Sequence, residues 1–225
     1  MLRFYRSTIG KKVIMAATGL VMVAFVIGHM VGHLQMFIGP AKYNAYAAFL
    51  KSSAELLWLV RTGLLVAVLL HILMAWQLTR AASNARPVAY ERRTPQASTI
   101  ASRTMRWGGV LLLVFIVFHI LQFTTGQLFP ISSRPDAMYP AFSHTNVYGN
   151  FVSAFRVPWV LGVYVVAMFF LMLHLFHGAW SSVRTLGLTK PSSDPMKRRV
   201  ATVIALVVWL GFTIVPVAVF FGVIR

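Results

Sequence analysis

Five stretches of this 225-residue chain run almost without charge for about twenty residues or more: roughly Val13 to Ile38, Leu56 to Leu78, Trp107 to Phe129, Val157 to Val183 and Val200 to Ile224. Each is long enough for a helix to cross the ~30 Å of hydrocarbon in a bilayer, where the backbone has to satisfy its own hydrogen bonds. Composition agrees, since 58% hydrophobic residues against 11% charged ones and a mean hydropathy of +0.74 are too apolar for a soluble domain. The expected fold is an all-α membrane protein: one domain over residues 1–225, with five transmembrane helices in a bundle.

The formal net charge of +17 raises the question of nucleic acid, but the basic residues are confined to the segments between the spans. If the spans alternate in direction, fifteen of the 21 fall on one side: Arg3, Arg6, Lys11, Lys12, Arg80, Arg86, Arg92, Arg93, Arg103, Arg106, Arg184, Lys190, Lys197, Arg198 and Arg199. Lys42, Lys51, Arg61, Arg134, Arg156 and Arg225 fall opposite. The positive-inside rule then predicts a cytoplasmic N-terminus and an external C-terminus, in a multi-pass membrane protein. A basic cytoplasmic face suits anionic lipid or an acidic partner protein, and nucleic acid is not expected.

Cysteine is absent, so thiolate clusters and disulfides are excluded and histidine is left as the side-chain ligand for a transition metal or haem. The first apolar run follows Lys11 and Lys12 as a signal peptide would. It is too long for one, lacks a small-residue cleavage site and carries histidines, so it reads as a span. The Pro- and Ser-rich connections Ala81 to Ser102 and Leu186 to Lys197 read as surface loops, and the segment Pro130 to Phe155 as a fold over the outer mouth of the bundle.

Of the seven histidines, His29, His71, His119, His174 and His177 lie well inside the apolar runs, and His33 near the edge of the first. A titratable ring in hydrocarbon is costly without a partner, and a metal centre is one such partner. At ~1.5 Å of helix rise per residue, His71 lies ~14 Å in from Arg80 and His174 ~15 Å in from Arg184, while His119 lies ~20 Å from Arg106 and His29 ~25 Å from Lys12. Two levels with two histidines each, from four helices, form the arrangement expected for two bis-histidine haems stacked across the membrane. Gly28 and Gly32 beside His29, and Gly178 after His177, are short enough for a flat macrocycle to approach, although helix contact explains small residues equally well. For a single membrane histidine the ordinary role is a hydrogen bond to the next helix; the matched levels favour ligation. Trp58, Trp107, Trp159, Trp180 and Trp209 read as interface anchors near span ends.

At these residues the chain resembles a known family. The stretches STIGKKVIMAATGLVMVAFVIGHMVGHLQMF, YNAYAAFLKSSAELLWLVRTGLL, FHILQF and MLHLFHGAWSSVRTLG resemble the five-helix dihaem cytochrome b subunit of bacterial succinate:quinone oxidoreductases and fumarate reductases. The resemblance covers essentially the whole chain. It implies two haem b groups, with His71 and His174 as axial ligands of the inner one and His29 and His119 of the outer one. It further implies an iron–sulfur subunit docked on the basic face and an FAD flavoprotein subunit that performs the succinate chemistry. The electron acceptor that it implies is a quinone, by analogy menaquinone, near the outer haem, with an oligomer of the whole complex as a further expectation. The chain's four carboxylates, Glu55, Glu91, Asp136 and Asp194, together with the absence of cluster cysteines, agree that substrate chemistry lies in partner subunits.

Two histidines depart from the family pattern. His33 stands four residues after the first ligand and His177 three after the last, where relatives carry Asn; each shares a helix face with its neighbour, so each is an alternative ligand or a haem contact. Ser7 and Lys11 are candidates for the inner propionates. Gln35, Tyr43, Lys51 and Glu55, near the outer ends of the first two spans, are candidates for a quinone site. Some relatives have a buried glutamate just before the last ligand, whereas this chain reads FFLMLH and offers no carboxylate there. The rival readings are a dihaem anchor of nitrate reductase or hydrogenase type, which draws several ligands from fewer helices, and a haem-free anchor or transporter.

Overall fold

The computed structural model describes residues 2–85, 88, 98–135, 139 and 141–225. Among them are nine α-helices and no strand: α1 Leu2–Arg6, α2 Thr8–Leu34, α3 Pro40–Lys51, α4 Ala54–Asn84, α5 Ile100–His119, α6 Phe129–Ser132, α7 Val147–Phe155, α8 Pro158–Thr185 and α9 Asp194–Phe220. Five helices, built on α2, α4, α5, α8 and α9, are long and apolar enough to cross a membrane, and the chain is a multi-pass membrane protein. Arg86, Glu91, Arg92, Arg93 and Asp136 lie outside the described residues.

The spans run past their charge-free windows at the basic end. α5 starts at Ile100 rather than near Trp107, because Thr99 and Ser102 form a capping box there. α9 starts at Asp194 rather than near Val200, with Pro195 in its first turn. A basic residue does not end a helix, since its stem lies along the apolar surface while its charge stays in water. The ends of the connections expected as loops are therefore helix: Ala81 to Asn84 and Ile100 to Ser102 in one, and Asp194 to Lys197 in the other. At its far end the third span stops earlier than Phe129: α5 passes into a π-helical turn, Ile120–Thr124, and Gly126 takes φ +72°, a left-handed conformation that suits glycine.

α2 and α8 form the central pair. α4 packs on α2, α5 on α8, and α9 on both α2 and α8. α4 buries only Ala67 and Met74 and exposes Leu56, Leu59, Leu65 and Leu69, as a helix facing lipid can. Trp58, Trp107 and Trp159 are exposed near span ends, as anchors are. Trp209 is not one of them: it sits in the middle of α9 with its indole Nε1 buried and without a partner.

The densest packing is at the end of the bundle opposite the basic one. The segment expected to cover the outer mouth does more than cover it: every residue of α7 from Tyr148 to Phe155 is buried, in a cluster with Met36, Tyr43, Tyr164, Val215 and Val219. Side-chain amides hold it there. Asn146 caps α7 by accepting from the Gly149 N–H at 3.0 Å, Asn44 of α3 accepts from the Tyr148 N–H at 2.9 Å, and the Tyr148 hydroxyl donates to the Arg225 carbonyl at 3.0 Å.

Candidate functional site

Two pairs of imidazoles face one another inside the bundle. His71 of α4 and His174 of α8 have ring centroids 6.2 Å apart, and His29 of α2 and His119 of α5 have theirs 5.9 Å apart. These are the two pairs that depth along the helices groups together. Neither α4 with α8 nor α2 with α5 is among the close-packed helix pairs, so in each case the rings reach across a gap between backbones.

The hydrogen bonds behind the rings determine which nitrogen carries the proton. His71 Nδ1 lies 3.0 Å from the carbonyl oxygen of Met15, which can only accept, so Nδ1 donates and Nε2 keeps a free lone pair. A longer chain fixes His119. Gln122 donates through Nε2 to the Ser132 carbonyl at 3.2 Å, which turns its amide oxygen toward Tyr164; the Tyr164 hydroxyl donates to that oxygen at 2.8 Å. The Tyr164 oxygen, 3.0 Å from His119 Nδ1, must then accept from it, and His119 Nε2 is left bare. Gln122 and Tyr164 are buried, and the π-helical turn begins at the residue after His119. Single π turns recur at functional sites, and here the wider turn carries Gln122. His174 differs, because its Nδ1 is buried with no hydrogen-bond partner.

His33 joins the His29–His119 pair. Its Nδ1 lies 2.8 Å from the hydroxyl of Tyr43, and its Nε2 lies 3.2 Å from Nε2 of His29. Tyr43 is buried, and burial, reinforced by Tyr46, raises the pKa of its phenol. A phenol that stays protonated needs an acceptor, and His33 Nδ1 is the one in reach. His33 Nε2 then carries the hydrogen and donates to His29. In this arrangement His33 is the donor and the lone pair of His29 Nε2 accepts that hydrogen bond, so a metal on His29 would have to displace it.

A metal held between two imidazoles places their centroids roughly 6 Å apart, given metal–nitrogen bonds of about 2.0 Å. Both pairs meet that spacing. Among the described residues no group of three or more His, Cys, Asp or Glu could hold a metal ion. A metal bound here by two histidines has to bring its other donors with it, as a macrocycle does. The spacing, the gap between the paired helices and the bare Nε2 atoms of His71 and His119 fit a haem that each pair would hold.

No protein-family model, curated protein or solved structure matches this chain.

The other sequence candidates fall into place unevenly. A Cβ on Gly28 or Gly178 would meet nothing within 4 Å, which leaves open space beside His29 and His177. Gly32 does not offer such space: its face is filled by the Tyr46 ring, 2.9 Å from where a Cβ would stand. Ser7 is the N-cap of α2, accepting from the Gly10 N–H at 2.9 Å and donating to the Phe4 carbonyl at 2.7 Å, so its hydroxyl is occupied at the α1–α2 junction. Lys11 is partly exposed one turn on. His174, rather than His177, has its ring against His71.

Of the quinone candidates, Tyr43 alone meets the histidines. Gln35 sits in the 3₁₀ turn Gln35–Ile38 that ends the first span. Lys51 donates to the carbonyl of exposed His144 at 2.6 Å, and partial burial together with Arg61 lowers its pKa. Glu55 is exposed and accepts from the Ser53 hydroxyl at 3.1 Å. Sequence reasoning missed Tyr164, Gln122, Thr18 and the Met15 carbonyl. Tyr164 and Gln122 left a signal, as polar side chains within apolar runs near the depth of His119. A backbone carbonyl leaves none.

Proposed function

We propose that this chain is a dihaem cytochrome b: the membrane anchor and electron-transfer subunit of a succinate:quinone oxidoreductase, working with an iron–sulfur subunit and an FAD flavoprotein subunit in a bacterial inner membrane. The observation that carries the reading is the two histidine pairs, 6.2 and 5.9 Å between centroids, drawn one residue each from α4, α8, α2 and α5. A nitrate reductase or hydrogenase type of anchor takes its ligands from fewer helices. His71 and His174 would hold the haem nearer the basic end, and His29 and His119 the other.

Bound haem would supply reversible one-electron chemistry at two depths, joining a cytoplasmic donor to a quinone, by analogy menaquinone, near the outer end. The residues of the chain provide the setting. Met15 and Tyr164 orient His71 and His119 and keep Nε2 unprotonated; the apolar helices keep water away and so tune potential. Tyr43 and His33 form a hydrogen-bond donor pair beside the outer histidines. The basic residues at the end of α5, α8 and α9 mark the cytoplasmic side, with the N-terminus, and the docking face for the soluble subunits.

The test is optical. Membranes containing the chain, reduced with dithionite, are expected to show b-type absorption bands and two haems per polypeptide by pyridine haemochrome assay. Absence of those bands sinks the proposal. Succinate-driven reduction of the bands in the assembled complex separates this reading from nitrate- or hydrogen-linked anchors.

A further inference from the structure

The basic end of the bundle holds a cleft of about 400 Å³ between the ends of α8 and α9, lined by Phe176, Asp194, Pro195, Arg198, Arg199 and Thr202. We propose that it binds the phosphate headgroup of an anionic membrane lipid. The inference rests on the membrane-spanning fold alone and does not depend on haem.

Aromatic rings hold the cations in place. The Arg198 guanidinium lies 5.7 Å from the Phe176 ring centroid and 5.4 Å from that of Trp180, and Arg184 lies 5.0 Å from the same indole. Stacking on a ring restrains a guanidinium without neutralising it. One carboxylate lines the cleft, that of Asp194, and its Oδ1 lies 3.9 Å from Arg184 Nε. Arg184 is the cation nearest that carboxylate, and among the described residues no carboxylate forms an ion pair with Arg198 or Arg199, both exposed at the mouth. Two adjacent guanidinium forks match phosphate oxygens.

The surroundings select a lipid over a soluble anion. Directly inward of Arg199, α9 exposes Val200, Val203, Leu206 and Val207 along the span, an apolar track on which acyl chains can lie. Trp180 stands five residues from the end of α8, at the depth where indoles mark the interface. Basic pockets between transmembrane helices are a known mode of anionic headgroup recognition.

Native mass spectrometry of the full chain in detergent, titrated with phosphatidylglycerol, phosphatidylcholine or inorganic phosphate, tests this. Wild type is expected to bind phosphatidylglycerol about tenfold or more tightly than phosphatidylcholine, and Arg198→Gln with Arg199→Gln to lose about tenfold. Arg198→Lys with Arg199→Lys should fall between, and Arg103→Gln with Arg106→Gln, on α5 at the same end, should leave the affinity unchanged. Equal binding of the two lipids by wild type overturns the proposal even if the Gln pair fails to fold. So does full displacement of phosphatidylglycerol by inorganic phosphate, which would make this a free-phosphate site. Loss of a soluble acidic subunit from the Gln pair with lipid binding intact would make the cleft a protein dock instead.

Discussion

His71 Nδ1 donates to the carbonyl oxygen of Met15 across 3.0 Å, joining α4 to α2 through a residue fifty-six positions earlier in the chain. That bond fixes the tautomer of His71 and, with Thr18 Oγ1 3.4 Å away, aims the ring at His174 rather than at its own helix. Helix packing and ring orientation are therefore the same contact at this site.

The pairing predicts a complementation pattern. His71→Ala and His174→Ala should each lose one and the same haem, halving the pyridine haemochrome yield, while His29→Ala and His119→Ala lose the other. Redox titration distinguishes the two centres by midpoint potential. Loss of the same centre in His29→Ala and His71→Ala would show the pairs to be wrong.

Tyr164→Phe should disturb the outer centre alone. The change removes the acceptor for His119 Nδ1 and leaves Gln122 Oε1 buried without its donor, at a cost of about 1–3 kcal/mol. Thermal unfolding in detergent should report that loss. Haem occupancy at the outer site is expected to weaken by about 10–100-fold, the usual consequence of deleting an orienting partner. An unchanged outer potential with full occupancy would argue against the tautomer derived for His119.

The Tyr43–His33–His29 chain makes His33 a donor, so His33→Asn should retain two haems and His29→Ala should not. The reverse result would assign ligation to His33. Magnetic circular dichroism of the outer centre, which reports the axial ligand set, reads this directly.

Tyr43 also gives the fold a dependence on alkaline pH. Its pKa is raised in the folded chain, chiefly by burial, so above a phenol's usual value of about 10 the unfolded chain releases a proton that the folded one retains. Stability should therefore be full below about pH 10 and fall by up to about 1.4 kcal/mol per pH unit above it. Tyr43→Phe should flatten that slope in urea titrations followed across pH 9 to 12.

Gly32 and Gly28 should respond differently to alanine. At Gly32 the added methyl meets the Tyr46 ring at 2.9 Å, and overpacking of this kind costs about 1–3 kcal/mol. At Gly28 nothing stands within 4 Å, and replacing a helical glycine by alanine favours the helix by up to about 1 kcal/mol. Melting temperatures of the two haem-free variants, one down and one level or up, are the check.

The five spans were legible because hydrocarbon imposes a length and a composition that apolar runs either meet or do not. The grouping of His29 with His119 and of His71 with His174 was legible for a related reason: a straight helix converts residue number into depth at a constant rise. Depth carries no azimuth. Which face His33 shares with His29, that Gly32 is closed by Tyr46 from α3, and that Ser7 is spent on a helix cap all depend on neighbours distant in sequence. The α7 segment shows the same limit, since Val147–Phe155 looked like a cover for the outer mouth and is instead its buried centre. By itself the sequence determined a five-span helical bundle with its histidines at two depths, because membrane thickness and helix rise are properties of one helix at a time. The tertiary structure alone decided which imidazoles face each other and which nitrogen His71 and His119 leave free, because those depend on how helices rotate and on which carbonyl or hydroxyl the next helix presents.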